Sequence, residues 1–300
     1  MRHPLPVAVP ARIRSCAVPL TPPPEGAPAH AFTVDVEDWY QSTIDYDAPI
    51  SERVVRNTDR VLELLDDVGI RGTFFVQGLV AEAFPRMVEG LVAAGHEVQS
   101  HGHSHRPLSR MGHRALREEL ERAKAAVEDA AGTPVTAFRA QDFSILATNL
   151  WAIEALVDIG FTVDSSVFPI QGPRYGIRGW PVAPHRLSVN GASLLEAPVA
   201  VWARGPLRLP VAGGGYFRVI PRRALGRAIG AIGRSGRPAI VYCHPYEFAP
   251  GELDDHPELG WRLRRSQGLG RSAFAGRMRF VLRRLPFGPL GDVLAAWGAR

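Results

Sequence analysis

The chain has 300 residues and a formal net charge of +5, with 46% apolar and 22% charged residues. These values are ordinary for a folded globular protein, and the length suits one large α/β domain or two small ones. With only two cysteines, Cys16 and Cys243, the sequence excludes a disulfide framework and a cysteine-based zinc site.

No apolar run approaches the roughly 18 residues of a membrane span, and the N-terminus shows no apolar core of an ordinary secretory signal. Arginines make the C-terminal part locally basic, which favours a solvated helix face over an anion-binding or membrane-proximal patch. No basic stripe interleaved with aromatic residues indicates a nucleic-acid partner. We therefore expect a cytoplasmic protein without a transmembrane segment, with peripheral contact at the inner membrane face as an option.

The pattern along the chain predicts alternating strands and helices after a flexible, proline-rich tail over residues 1–30. Strands are predicted at 31–34, 72–76, 96–99, 135–138 and 161–163. Helices are predicted at 51–65, 80–94, 115–131 and 149–159. Because polar clusters follow the strands, this order predicts a parallel sheet or barrel with its site at the C-terminal strand ends.

Residues 171–216 lack helical periodicity and are predicted to form an insertion that walls a cleft, with short strands at 187–189 and 194–197. A helix at 221–235 and a last core strand at 239–243 follow. Further helices at 272–285 and 289–297 close the chain. The predicted organisation is a barrel over 31–250 and a helical extension over 251–300 that packs on it.

Three histidines in five positions, at 101, 103 and 105, follow the third predicted strand. Neutral imidazole is the commonest protein metal ligand, and two histidines four apart can reach one ion. The acidic run Asp35-Val36-Glu37-Asp38 follows the first strand, Arg139 follows the fourth, and His244 follows the last.

Together these strand ends carry the parts needed for metal-assisted hydrolysis of an amide. Two imidazoles and a carboxylate make an open site on a divalent ion, and a second carboxylate can accept a proton from water. An arginine can hold that carboxylate ionised, and a histidine opposite can protonate a leaving amine.

Six motifs in order resemble the polysaccharide deacetylases, carbohydrate esterase family 4, especially the branch associated with exosortase-linked exopolysaccharide loci. They are Phe32-Thr-Val-Asp-Val-Glu-Asp-Trp39, Ser100-His-Gly-His-Ser-His105, Phe138-Arg-Ala140, Asp164-Ser-Ser-Val-Phe-Pro169, Gly214-Gly-Tyr-Phe-Arg218 and Val241-Tyr-Cys-His-Pro245. The resemblance implies a distorted (β/α)7-type barrel that removes N-acetyl groups from amino sugars of a polysaccharide or lipid-linked glycan precursor. It implies zinc or a similar divalent ion, such as cobalt or manganese.

Carried over residue by residue, the resemblance implies that His101 and His105 bind the metal, that Asp35 is the base, that Arg139 orients it and that His244 is the acid. The acidic ligand is Asp38 in our first assignment and Glu37 in the alternative. If the adjacent pair Glu37-Asp38 replaces the family's usual two aspartates, Glu37 becomes the base and Asp35 supports it.

The arginine motif departs from the branch, because Arg139-Ala140 continues to Gln141-Asp142 instead of a proline and a small polar residue. This departure motivates the alternative of a catalytically weak glycan-binding homologue, and a second alternative is an allantoinase-like amidase on a small amide. Trp39, Tyr216 and Phe217 are predicted to contact the sugar. The sequence does not fix the oligomeric state.

Overall fold

The computed structural model describes residues 13–254 and 256–299. The strands in this part of the chain are β1 (Ile13–Ala17), β2 (His30–Val36), β3 (Thr73–Val76), β4 (Glu97–Ser100), β5 (Ala137–Phe138), β6 (Val163–Asp164), β7 (His185–Val189), β8 (Ala192–Glu196), β9 (Val201–Arg204), β10 (Leu207–Pro210), β11 (Ile240–Cys243) and β12 (Phe287–Gly288). The helices are α1 (Trp39–Thr43), α2 (Arg53–Val68), α3 (Gly78–Ala83), α4 (Pro85–Ala93), α5 (His113–Ala131), α6 (Ala152–Ile159), α7 (Gly215–Val219), α8 (Arg222–Arg234), α9 (Trp261–Gly268), α10 (Phe274–Leu282) and α11 (Leu290–Ala296). Short 3-10 helices cover Leu108–Arg110, Gln141–Phe143, Pro245–Phe248 and Arg271–Ala273.

The parallel sheet runs in the order β8-β6-β5-β4-β3-β2-β11. The segment that follows β8 links the two edges of this sheet. Ala197 N–H donates to the Asp164 carbonyl at 2.7 Å, next to β8, and Ala200 N–H donates to the Ile240 carbonyl of β11 at 2.8 Å. No strand ladder joins β8 to β11 among the described residues. The predicted α/β class with a parallel sheet is therefore confirmed, whereas closure into a (β/α)7-type barrel stays a prediction.

Helices cover the outside of the sheet, so every residue of β2, β3 and β11 is buried. The helix α2 buries Val54, Val61 and Leu65 on one face and ends where Gly69 adopts a left-handed φ of 69°. Within the described residues, no helix combines the length and the apolar composition that crossing a bilayer requires.

The helix predicted at 80–94 is two helices, α3 and α4. Phe84 leaves the helical region with a φ of −133°, and Pro85 begins α4. Proline has no N–H for the preceding turn and its ring clashes with that turn, so the chain breaks there. The predicted strands in the insertion lie close to β7 and β8, and the insertion also contains the hairpin of β9 and β10.

The N-terminal segment differs from the predicted tail. Residues 1–12 lie outside the described part of the chain, but β1 pairs antiparallel with β7, placing Ile13 opposite Val189. Ile13 and Ser15 face inward and Arg14 faces outward, a strand alternation too short to stand out in the sequence. At the other end, α10 packs on α2 and α8, while β12 pairs with β2.

Candidate functional site

The carboxyl ends of β2, β4, β5 and β11 face one cavity of about 260 Å³. Parallel strands bring their C-terminal ends to the same edge, and the polar residues that follow them therefore meet there. Its lining includes Asp35, Glu37, His101, His105, Asp142, Arg174, Tyr175, Tyr216 and His244. The structure thus brings together the predicted acidic, histidine and C-terminal histidine motifs.

The centre of the cavity is a buried cluster of Glu37, His101 and His105, whose ligand atoms lie within 4.8 Å of one another. The Nε2 atom of His101 lies 3.3 Å from Glu37 Oε2, and His105 Nε2 contacts the same oxygen. Two imidazoles and one carboxylate are a donor set that fits a divalent ion and leaves positions open for water and substrate.

The ring of His101 is oriented for ligation by the backbone. Its Nδ1 lies 2.9 Å from the Arg139 carbonyl, which can only accept a hydrogen bond. The hydrogen must therefore sit on Nδ1, which leaves the Nε2 lone pair directed at the cluster. In the described part of the chain, Glu37 Oε2 is buried with no hydrogen-bond donor, as expected for an atom that binds a cation.

Asp38, our first choice as the acidic ligand, is not brought into the cluster. Its Oδ1 accepts hydrogen bonds from the N–H groups of Tyr40, at 3.0 Å, and Gln41, at 3.2 Å, which caps α1. Its Oδ2 accepts from the N–H of Ser51 at 3.0 Å and also from the Ser51 hydroxyl. Both oxygens are engaged, and the alternative residue, Glu37, occupies the position beside the histidines.

The second oxygen of Glu37 accepts hydrogen bonds from the hydroxyls of Ser42 and Tyr246, each at 3.2 Å. Burial alone would raise the pKa of the Glu37 carboxyl, but His105, His101 and His244 outweigh it and hold that pKa well below its usual range. Glu37 is therefore a carboxylate anchored at one oxygen and directed at the histidines with the other.

Asp35 forms a buried ion pair with Arg139, whose Nη1 lies 2.7 Å from Asp35 Oδ1. The guanidinium also donates to Thr33 Oγ1 at 2.6 Å and to Ser165 Oγ at 3.0 Å, and it lies 4.2 Å from the centre of the Phe75 ring. These contacts fix both partners and keep the carboxylate at the cavity wall.

His244 follows β11 and faces Glu37 across the cavity, with its Nε2 4.0 Å from Glu37 Oε1. Its Nδ1 lies 3.2 Å from Glu247, and its ring stacks on Tyr246 with centroids 4.9 Å apart. Burial would lower the pKa of His244, but the hydrogen bond with Glu247 and the charge of Glu37 raise it to about 9. The imidazole therefore carries a proton at neutral pH.

Tyr246 and Glu247 were not predicted as site residues, although they stand directly after His244-Pro245 in the sequence. The 3-10 turn Pro245–Phe248 places both residues in the site. Through this turn the Glu247 carboxylate accepts a hydrogen bond from the backbone N–H of His244 at 3.1 Å. A glutamate three residues after a cap position was the available signal.

Glu119 on α5 holds the loop that carries the histidines through three hydrogen bonds. One oxygen of Glu119 accepts the N–H groups of His103 and Ser104, each at 2.8 Å, and the other accepts the Ser104 hydroxyl at 2.8 Å. Gln141 donates to the Arg106 carbonyl at 2.7 Å and to Glu119 at 3.2 Å. Gln141, the residue at which the sequence departs from the family's arginine motif, thus contacts the histidine loop. The Asp35–Arg139 pair is intact beside it.

Of the three residues predicted to contact a sugar, only Tyr216 lines the cavity, where its hydroxyl bonds that of Tyr175 at 2.8 Å. Trp39 and Phe217 are buried in the core, with exposures of 1% and 0%, because their helices turn these rings away from the cavity. Asp142 reaches the cavity from a left-handed backbone position with a φ of 54°.

Two family models divide the chain. Residues 39–159 match the family described as polysaccharide deacetylase, and residues 165–295 match one described as a domain of unknown function (DUF3473). A chitooligosaccharide deacetylase from Sinorhizobium fredii is 36% identical over 70 residues, which cover 23% of this chain and 33% of that protein. The match therefore spans about a third of the relative's length.

Two solved structures share the fold. A candidate polysaccharide deacetylase from Mycobacterium smegmatis has a TM-score of 0.65 at 21% identity, with 95% of each chain covered. The PuuE allantoinase has a TM-score of 0.58 at 16% identity, with 92% of each chain covered. The similarity to the polysaccharide deacetylase family thus covers residues 39–159 and the segment matched by the relative, and the two solved structures show that the whole chain shares their fold.

Proposed function

We propose that this protein is a metal-dependent hydrolase that removes N-acetyl groups from amino sugars of a polysaccharide or a lipid-linked glycan precursor. The observation that carries the proposal is the convergence of the Glu37–His101–His105 cluster, the Asp35–Arg139 pair and His244 on one cavity. The deacetylase activity named for the Sinorhizobium relative supports the substrate class. We extend the proposal to the exosortase-linked branch and to a cytoplasmic location.

Glu37, His101 and His105 would hold the divalent ion, and Asp38 would not. Zinc suits two imidazoles and one carboxylate, with cobalt and manganese as alternatives. When bound, such an ion polarises the acetyl carbonyl and makes water more acidic.

The residues around the cluster supply proton transfer. Asp35, fixed by Arg139, accepts the proton of the attacking water, and His244, protonated at neutral pH, gives its Nε2 proton to the leaving amine. Tyr216 and Tyr175 offer an aromatic wall with two hydroxyls, a surface on which a sugar ring can stack and hydrogen-bond.

A binding-only homologue is less well supported than an enzyme, because Gln141 leaves the base and its arginine in contact at 2.7 Å. An amidase that acts on a small amide is the second candidate. It is favoured by the cavity volume of about 260 Å³, which suits one small substrate or one sugar unit rather than several.

The test is acetate release from chitooligosaccharides and from lipid-linked N-acetylated precursors. We would compare chelated protein with protein resupplied with zinc, cobalt or manganese. Allantoin, the small-amide substrate, has no acetyl group, so its hydrolysis is followed separately as ring opening. We expect metal-restored acetate release that is lost in His101→Ala and kept in His113→Ala, a change at an exposed histidine at the start of α5. Acetate release by metal-free His101→Ala protein would refute the proposal.

A further inference from the structure

The three most exposed large apolar side chains of the described residues lie on α7, on α9 and at the end of α9, two elements joined by a hydrogen bond from Arg218 to the Gln267 carbonyl. They are Trp261, Leu269 and Val219, with exposures of 68%, 59% and 54%. Single exposed apolar residues are ordinary, but a group with the largest exposures in one region points to an interaction surface.

The geometry of α9 accounts for the group. None of its residues is buried, and Trp261 and Arg265 are four apart, which places them on one helix face. Leu269 follows the last residue of α9 as its C-terminal cap, four residues beyond Arg265. At the far end of α9, Arg218 donates to the Gln267 carbonyl. Val219, the next residue after Arg218, therefore lies beside the end of this face.

The surface is cationic as well as apolar. Arg262 and Arg265 are exposed, and no carboxylate of residues 13–254 or 256–299 lies within 4.0 Å of either guanidinium. Two described acidic residues nearby have other partners, since Asp254 lies 3.7 Å from Arg264 and Glu258 lies 3.2 Å from His256. We call Val219, Trp261, Arg262, Arg265 and Leu269 the α9 surface.

The α9 surface is continuous with the rim of the catalytic cavity. Gln267 of α9 and Tyr216 of α7 both line that cavity, and each belongs to an element that carries an exposed apolar residue of the surface. Whatever binds the α9 surface therefore lies next to the entrance of the site.

We propose that the α9 surface binds the interfacial layer of a bilayer that contains anionic lipids. A tryptophan and two aliphatic side chains beside exposed arginines, Arg262 over the Trp261 ring at 5.5 Å and Arg265, match this environment, where rings sit at headgroup level and guanidinium groups meet lipid phosphates. Three apolar side chains are few for a stable protein interface, which buries roughly 800 Å² on each partner. The inference goes beyond the proposed deacetylase activity and does not depend on it.

The test is co-sedimentation of the full chain with phosphatidylcholine vesicles and with vesicles that also contain phosphatidylglycerol, without substrate. We expect binding to the anionic vesicles that weakens with salt. Trp261→Ala should reduce it about tenfold, and the double change R262E/R265E should reduce it at least as much. The matched control is Leu207→Ser, which alters an apolar residue of 52% exposure in the β9–β10 hairpin, and it should bind like the parent protein.

Thermal melting of each variant establishes that it is folded, so loss of binding reports on the surface. Absence of binding to the anionic vesicles would overturn the proposal, as would equal binding by Trp261→Ala. Self-association of the parent protein in gel filtration that Trp261→Ala abolishes would also overturn it, in favour of a protein interface.

Discussion

Three carboxylates within four residues have three different surroundings. Asp35 pairs with Arg139, Glu37 joins the histidines, and Asp38 caps α1. Asp35 and Glu37 are two positions apart at the end of an extended strand, so they face the same side and enter the cavity together. Asp38 is the first residue of the turn into a helix, where a carboxylate is most valuable as a cap.

These surroundings predict different losses in three conservative variants. Glu37→Gln should abolish stoichiometric metal binding and activity, whereas Asp35→Asn should keep the metal and lose about 10²–10⁴-fold in kcat. Asp38→Asn should keep both metal and activity and lower stability by about 1 kcal/mol, because the amide can still cap α1 with its oxygen but loses the oxygen that accepts from Ser51. Metal content after gel filtration, acetate release and urea unfolding measure the three outcomes.

Asp45→Asn, a change at an exposed aspartate of the following turn, is the matched control. If Asp38→Asn lost the metal while Glu37→Gln kept it, the ligand assignment would be reversed.

The sequence was sufficient to locate these residues but not to divide the roles among them. The motif spacing predicted which strand ends meet, since this follows from parallel pairing. The choice between Glu37 and Asp38 depends on Ser51, thirteen residues further along, and on the turn that brings its N–H to the Asp38 carboxylate. That contact has no signature in the local pattern.

The histidine loop is the element whose conformation matters most for the site. Gly102 and His105 both have left-handed φ values, 72° and 61°, and the second is unfavourable for a residue with a side chain. The hydrogen bonds from the loop to Glu119 hold the backbone in this shape, which directs His101 and His105 to one point.

We therefore predict that Glu119→Ala lowers metal affinity about 10- to 100-fold although Glu119 contacts no ligand atom of the cluster. Competition with a chromogenic chelator measures the affinity. Glu121→Ala, on the exposed side of the same helix where Glu121 lies 3.5 Å from Arg117, should leave affinity unchanged. A lower melting temperature with unaltered metal affinity would show that Glu119 supports only the fold.

Two other histidines lie at the starts of strands and serve the fold. The Nδ1 of His30 accepts the Ala239 N–H, and the Nδ1 of His96 accepts the Gly72 N–H, each at 3.2 Å. Both rings must be neutral to accept, and burial lowers the pKa of each from 6.5 to about 4.

Because the folded-state pKa lies below the unfolded value, the unfolded chain binds these protons first. Stability should fall as the pH drops from about 6.5 to about 4, by about 2 to 3 kcal/mol for each histidine. Urea unfolding of metal-free protein across this range measures the slope. His96→Asn keeps an acceptor near the Gly72 N–H and removes one titrating group, so the free energy of unfolding should depend less steeply on pH. A pH dependence as steep as that of the parent protein would contradict the role of His96.

At the level of elements, sequence periodicity predicted the long helices and the buried strands. It failed where contacts between distant parts of the chain determine the secondary structure. The strand β1 forms because β7, more than 160 residues later, offers it an edge. The pair α3 and α4 was predictable in retrospect, since Pro85 stands inside the helical pattern. The burial of Trp39 and Phe217 was not, because an aromatic residue beside a motif suits both the core and the cavity.

In the whole molecule, the boundary between the two matched family segments divides the site. Glu37 precedes the first segment, His101, His105 and Arg139 lie within it, and His244 lies in the second. The last core strand, β11, pairs with residues 31–34 of β2, and β12 pairs with His30 and Ala31 at the start of β2. Strands from both parts of the chain thus pair in one sheet, and neither part can complete this sheet alone.

The C-terminal residues pack against the segment that precedes β2. Trp297 is 1% exposed, its indole N–H donates to the Ala29 carbonyl at 2.9 Å, and its own carbonyl accepts the N–H of Thr21 at 3.0 Å. Trp297 therefore joins the segment before β2 to the C-terminal helix α11, at the end of β2 opposite the Glu37–His101–His105 cluster.

We predict that Trp297→Ala lowers the free energy of unfolding by about 3 to 5 kcal/mol. Urea unfolding followed by circular dichroism and by release of bound metal should remain one coincident transition at a lower midpoint, because the two ends of β2 belong to one cooperative sheet. The matched control, Trp261→Ala, removes an exposed tryptophan and should shift the midpoint little. Separate transitions for the two probes would instead show that residues 165–295 unfold independently of the metal site.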